Sequence, residues 1–188
     1  GTYDVLLRDA AAAPQMRAHA EQAGVAALDS MAALIDRADG VISAVTASQA
    51  LAVATEAAGA IRPGTWFLDV NSASPATKTA ASRLIDAAGG RYVESSMMTS
   101  VPPYGIRVPM LLGGAHAETA KALLAPLGFS MEVASDKIGV ASAIKMCRSV
   151  FIKGLEAIVI ESYASARHYG VEDHVLASLA ETFPTIDW

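Results

Sequence analysis

Arg62-Pro-Gly64-Thr-Trp66-Phe-Leu-Asp69-Val-Asn71-Ser72-Ala-Ser-Pro75 is the stretch on which the fold turns. Arg62-Pro-Gly64 is a turn signal, and it delivers the chain into a short apolar run over residues 66–69. A polar passage follows and meets Pro75. Proline suits the first turn of a helix, because its fixed φ is already helical and its missing N–H has no intrahelical partner to lose. Strand, polar loop and helix in that order make half of a βαβ unit, which predicts a parallel sheet.

Working toward the N-terminus, the same alternation recurs. Residues 3–7 read as a first strand ending at Arg8-Asp9, and a helix runs from about Pro14 to a glycine stop at Gly24. Residues 25–28 make a short strand, Asp29 or Ser30 caps a helix through Ile35, residues 40–45 form a buried strand, and residues 46–60 are helical. Toward the C-terminus, the helix opened by Pro75 reaches about Ala88 and stops at Gly89-Gly90, and residues 92–94 are the next strand. Residues 108–112 and 129–133 complete the sheet, with a helix over 118–124 between them. The expected fold is α/β, with a doubly wound and mostly parallel sheet.

The texture changes at Ile138. From there to about Tyr169 no proline occurs, and Ile144, Phe151, Leu155, Ile158 and Ser162 recur at helical spacing. The spacing predicts one long helix, roughly 45 Å at about 1.5 Å per residue. A second helix follows over 172–182. This divides the chain into a sheet domain, residues 1–137, and the start of an all-α domain, residues 138–188. Apolar residues on more than one side of the long helix need covering, by further helices or by a second subunit.

Composition narrows the function. The chain has 188 residues, 53% hydrophobic and 18% charged, as a packed globular protein should be. A net charge of -5 gives no basic surface for phosphate backbones, so nucleic acid is not an expected partner. Every apolar run is shorter than the ~18 residues of a membrane span, the richest region being broken by Lys145, Arg148, Lys153 and Glu156. Cys147 is the only cysteine. It reads as a buried structural thiol, with a nucleophile the alternative, and a lone thiol suits a reducing compartment such as the cytoplasm. No metal is expected.

In a doubly wound sheet, ligands bind outside the C-terminal ends of the strands. Asp9 closes the first strand, where a carboxylate can accept from both hydroxyls of a ribose; the plainer reading is a turn or helix cap. Val45-Thr46 closes the strand over 40–45 with small groups that allow a dinucleotide near the backbone. Asn71 and Ser72 supply short polar groups after Asp69, while N-capping by Ser72 or Ser74 explains the serines equally well. Lys145, Arg148, Ser149, Ile152 and Glu156 share one helical face, which presents a lysine beside an arginine. Partial burial and an adjacent cation both favour the neutral amine and lower its pKa toward the range of a general acid-base; a snorkelling surface lysine is the bland alternative.

These residues carry a resemblance. Val41-Ile-Ser-Ala-Val-Thr46, Asp69-Val-Asn-Ser-Ala-Ser-Pro75, the loop over 94–105, Met110-Leu-Leu-Gly-Gly114 and Gly139-Val-Ala-Ser-Ala-Ile-Lys145 occur in an order that resembles the β-hydroxyacid dehydrogenases, which include 3-hydroxyisobutyrate and 6-phosphogluconate dehydrogenases. Lys145-Met-Cys-Arg-Ser149 and Lys153-Gly-Leu-Glu-Ala157 are similar to a phosphogluconate-dehydrogenase-like branch with a C-terminal domain of unassigned function. The resemblance implies a Rossmann-like fold, NAD or NADP as cofactor, a small acidic hydroxy compound as substrate, and a homodimer joined through the helical domain. It puts Lys145 on the catalytic lysine, Ser72 on a Ser/Thr near nicotinamide and substrate, and Val45 and Thr46 on the dinucleotide loop. Met98, Thr99 and Ser100 fall on the loop that cradles a substrate carboxylate, usually Ser-Gly-Gly, and Arg148 replaces an asparagine.

Two departures matter. Met98 removes a hydroxyl from the carboxylate cradle, whereas Arg148 adds a fork able to bind carboxylate or phosphate bidentately. The Gly-x-Gly-x-x-Gly turn of the family's first βα unit, about 30 residues, is not found, so the strand over 3–7 is expected to be the family's second. Asp9 favours NAD, while Arg8 beside it suits a 2′-phosphate. A non-catalytic module retained for association and an imine reductase of the same superfamily stay open beside the dehydrogenase.

Overall fold

The computed structural model describes residues 1–186. Five strands form one sheet: β1, Gly40–Ser43; β2, Trp66–Asp69; β3, Arg91–Met97; β4, Met110–Gly113; and β5, Met131–Ser135. They lie side by side in chain order. The β1–β2, β2–β3 and β4–β5 pairs are parallel, and β3–β4 is antiparallel, so the sheet is mixed but mostly parallel. Helices α1, Ala13–Gln22, and α2, Met31–Asp36, precede the sheet, and α3, Ala50–Ala58, α4, Pro75–Ala87, and α5, Ala117–Leu124, connect its strands.

The central strands are apolar on both faces because helices cover both. Phe67 of β2 and Tyr92 of β3 turn one way, packing with Ala54 and Ala57 of α3 and Ala81 and Ile85 of α4. Leu68 and Val93, their chain neighbours, turn the other way onto Leu112 and onto Ala117 and Ala120 of α5. Successive side chains of a strand point to opposite faces, so an unbroken apolar run satisfies both layers at once. Pro75 opens α4 as expected, with the Ser74 hydroxyl accepting the Thr77 N–H at 3.2 Å.

Several boundaries differ from the sequence reading. Residues 3–7 do not make a strand: only Thr2 bridges to Ala27, and Val5–Arg8 is a single 3-10 turn. A strand needs a neighbouring ladder, and no described strand pairs with the outer edge of β1. The Asp4 carboxylate instead accepts the Leu6 N–H at 2.8 Å and starts the turn locally. Residues 25–28 are reduced to that same bridge. The helix expected over 46–60 begins only at Ala50, since a turn with Gln49 N–H bonded to Thr46 C=O intervenes. β3 is longer than predicted because it pairs on both sides, with β2 and with β4.

Helix α6, Val140–Tyr169, and helix α7, Glu172–Thr182, follow the sheet. The chain falls into two units, divided between Lys145 and Met146. In the second unit Val150, Phe151, Ile158 and Ile160 are all more than half exposed, so the described residues leave these apolar side chains uncovered, and Cys147, expected to be buried, is exposed among them for the same reason. The last two residues of the predicted helical domain, 187 and 188, lie outside the described residues. Among the described residues, no helix is long and apolar enough to cross a membrane.

Candidate functional site

The site grows from the end of β2. Asp69 is buried, and its Oδ1 accepts from Lys78 Nζ at 2.8 Å and from the Asn71 N–H at 3.0 Å, while Oδ2 accepts from the Tyr92 hydroxyl at 2.7 Å. Lys78 lies in the first turn of α4, and helical side chains lean toward the helix N-terminus, so its amine returns to the strand end the helix has just left. It is fully buried, and it also donates to the carbonyls of Asp69 at 2.8 Å and Ser95 at 3.3 Å. Three acceptors meet the three donors of an ammonium. Burial pulls the Lys78 pKa down, and the Asp69 carboxylate opposes that pull. Burial, and then the Asp69 charge, push the Tyr92 phenol well above its ordinary range.

This buried group shapes the turn above it. Asn71 is itself buried, its Oδ1 accepting the Val45 N–H at 2.5 Å and its Nδ2 donating to the Ser43 hydroxyl at 3.0 Å. One carboxamide thereby fastens the loop after β1 to the loop after β2. Ser72, the next residue, is exposed, and Lys145 Nζ donates to its hydroxyl at 2.6 Å. Lys145 is half-buried, and its pKa is lowered by desolvation first and by the Lys78 charge second. The sequence reading assigned that electrostatic push to Arg148. The cation responsible is Lys78, which lies inside the sheet unit with Lys145.

The remaining candidates are more dispersed. Val45 and Thr46 are exposed and help to line a cavity of about 700 Å³ along β1, together with Thr2, Tyr3, Ser43 and Gln49. Neither Ser72 nor Lys145 lines it. The cavity and the amine–hydroxyl pair are therefore separate features that share the tie made by Asn71. A volume of this size lies within the roughly 300–1,000 Å³ of small-molecule sites. Asp9 does not close a strand. It follows the 3-10 turn, and its carboxylate accepts the Ala11 N–H at 2.8 Å, which is the local turn role weighed against ribose binding. Met98 is half-buried, Thr99 and Ser100 are exposed on the loop after β3, and Arg148 is exposed in the second unit.

Sequence reasoning missed Lys78 and Tyr92. A signal for Lys78 was present: Lys78, Ala81, Ser82 and Ile85 repeat at i, i+3, i+4 and i+7, and all four are buried on α4. A lysine on the inward stripe of a helix needs a carboxylate opposite it.

No family model matches the chain. A 28.5 kDa protein encoded upstream of the 7S RNA in Methanothermus fervidus is 34% identical over 149 residues, 79% of this chain and 56% of that protein. The crystal structure of a conserved hypothetical protein from Sinorhizobium meliloti is 41% identical with a TM-score of 0.81, over 99% of this chain and 62% of the other. A conserved protein whose structure reveals similarity with 3-hydroxyacid dehydrogenases is 34% identical with a TM-score of 0.75, over 92% of this chain and 64% of the other. The chain thus spans 56% to 64% of the length of these relatives. At 20% identity the fold is shared with Mycobacterium tuberculosis 3-hydroxyisobutyrate dehydrogenase solved with L-serine, TM-score 0.77 over 94% of this chain and 62% of the other. It is shared at the same identity with a Myxococcus stipitatus imine reductase solved with NAD+, TM-score 0.73 over 90% of this chain and 61% of the other.

Proposed function

We propose, for a chain that belongs by fold with the β-hydroxyacid dehydrogenases, that it carries the proton-transfer half of an NAD(P)-dependent oxidoreductase acting on a small acidic hydroxy compound. The observation that carries this reading is the 2.6 Å bond from Lys145 Nζ to the Ser72 hydroxyl, made by a half-buried amine whose pKa is held down. A nicotinamide, when bound, supplies the hydride acceptor or donor. Neutral Lys145 takes the hydroxyl proton as the carbon–hydrogen bond breaks and the carbon–oxygen bond becomes a carbonyl; in reduction the ammonium returns that proton. Ser72 orients the oxygen that exchanges the proton, and general acid-base catalysis of this kind contributes about 10²–10⁴-fold.

The residues along β1 fit a dinucleotide. Ser43, Ala44 and Thr46 are small, they line a cavity of about 700 Å³, and Asn71 fixes the backbone of Val45 beside it. Val45, Thr46, Asn71 and Ser72 are the proposed cofactor contacts. Ser72, Met98, Thr99 and Ser100 are the proposed substrate contacts, and Arg148, in the second unit, is proposed as a fork for a carboxylate or phosphate. Residues 138–188 are proposed as a helical region through which two copies join, in a reducing compartment such as the cytoplasm. A protein that stays monomeric in sedimentation at high concentration would remove the homodimer.

Nicotinamide absorbance at 340 nm, followed with a panel of hydroxy acids and either cofactor, tests the activity. Turnover by the wild type and its loss in Lys145→Ala are expected, and undiminished turnover in that variant would sink the lysine's role. An imine reductase is the second reading, supported by the shared fold of the Myxococcus stipitatus enzyme. Cyclic imines in the same assay separate the two. Calorimetric silence with both NADH and NADPH favours a non-catalytic module.

A further inference from the structure

Glu94 is fully buried on β3 and stands in register beside Asp69 of β2. Its two oxygens are both committed: Oε2 accepts the Gly139 N–H at 2.5 Å and Oε1 the Ser142 N–H at 2.7 Å. These are free donors at the start of α6, where the first four N–H groups of any helix lack internal partners and a carboxylate complements the dipole. Such caps ordinarily come from a residue just ahead of the helix. Here the acceptor lies 45 and 48 residues away in the sequence, so it docks the helix onto the sheet as well as capping it. Room has been left for it, because a Cβ on Gly113 of the neighbouring strand would stand 2.7 Å from Glu94 Oε2. Gly139, at φ +95°, turns the chain sharply into the helix at the same point.

The consequence reaches Lys145, which sits one turn beyond Ser142. Paired positions on adjacent strands carry buried carboxylates: Asp69, at the end of β2, fixes the turn that carries Ser72, and Glu94, in the middle of β3, fixes the first turn of the helix that carries Lys145. We infer that Glu94 is a positioning residue, holding the first turn of α6 against β3 so that the Lys145 amine meets the Ser72 hydroxyl. The inference rests on the reading of Lys145 as the proton-transfer group. The groups facing the amine are the Ser72 hydroxyl and the charge of Lys78, and the charge of Glu94 also acts on Lys78.

Two measurements that need no turnover test this. Amide exchange of Gly139 and Ser142 by NMR reads the dock, and acetylation of Lys145 against pH, followed by mass spectrometry, reads the amine. In the wild type both amides are expected to be protected and Lys145 to react at lower pH than exposed lysines. In Glu94→Gln one N–H loses its acceptor; its exchange is expected to quicken roughly tenfold or more, and the Lys145 profile to move up toward the ordinary lysine range. Exchange in β2 is expected to stay unchanged. Glu94→Asp keeps the charge with a shorter reach and should fall between the two, and it decides the matter if Glu94→Gln does not fold. Unprotected wild-type amides, or a Lys145 profile that stays put when the amides open, overturn the inference. If Lys145 responds in a protein that transfers no hydride with any substrate, the oxidoreductase reading fails and the positioning stands.

Discussion

Replacing Lys78 by methionine is the most direct perturbation of the buried group. Methionine has nearly the same length and fills the same space, so the change deletes the ammonium with little cavity. It strands Asp69, which is 1% exposed and keeps only the Tyr92 hydroxyl and the Asn71 N–H as donors to its carboxylate. Removing one partner of a buried ion pair costs about 3–5 kcal/mol, because the other charge stays in a poorly solvating place. For a chain of this size that lowers Tm on the order of 10 °C, at roughly 2–4 °C per kcal/mol. Urea unfolding, with Cm and m both fitted, is the assay. The Lys78→Met/Asp69→Asn double variant no longer carries the stranded charge, so its loss should fall well short of the sum of the single losses. A Lys78→Met loss under about 1 kcal/mol, or two single losses that simply add, would refute the idea of a coupled buried pair.

Four further outcomes are expected. With its pKa held down, Lys145 becomes neutral at a pH below the ordinary lysine range, so the oxidative rate should rise with pH earlier than for an exposed lysine; Lys78→Met, which removes the like charge, should move that limb to higher pH. Linkage has the same sign: between the lowered folded pKa and the ordinary unfolded one the unfolded chain binds more protons, so this group adds stability as pH rises through that window, and pH-dependent urea melts of Lys145→Met against wild type should show the difference. Asn71→Ala leaves the part-buried Val45 N–H without its acceptor, which should cost about 1–3 kcal/mol by denaturation and weaken NADH binding by calorimetry. Gly113→Ala puts a methyl group 2.7 Å from Glu94 Oε2 and should destabilise by about 1–3 kcal/mol, visible as a lower Cm with unchanged m.

Local chemistry accounts for what was legible. Trp66–Asp69 and Pro75 could be placed from sequence because an apolar run, a polar turn and a helix-opening proline each act over a few residues. Asn71, Ser72 and Lys145 were legible as candidates for the same reason, each carried by a short motif at an element boundary. Residues 3–7 were misread because a strand is defined by its neighbour; the run Tyr3-Asp-Val-Leu-Leu7 has strand-like composition but forms only a bridge and a turn. Asp9 looked like the end of that strand and became a turn residue with it.

The sequence by itself determined the alternation of strands and helices, the two apolar faces of the sheet and the long helix that follows, since periodicity is set by neighbours a few positions apart. Only the tertiary structure decided which charge lies beside which. Lys78 stands on the inward stripe of α4, but its carboxylate partner is named only when β2 and β3 close around it, and Lys145 stands between a general acid-base and a snorkelling surface lysine until the first turn of α6 docks on Glu94. The physical reason is that a pKa, or a 2.6 Å contact between residues 73 apart, depends on distance through the folded protein, and distance along the chain does not encode it.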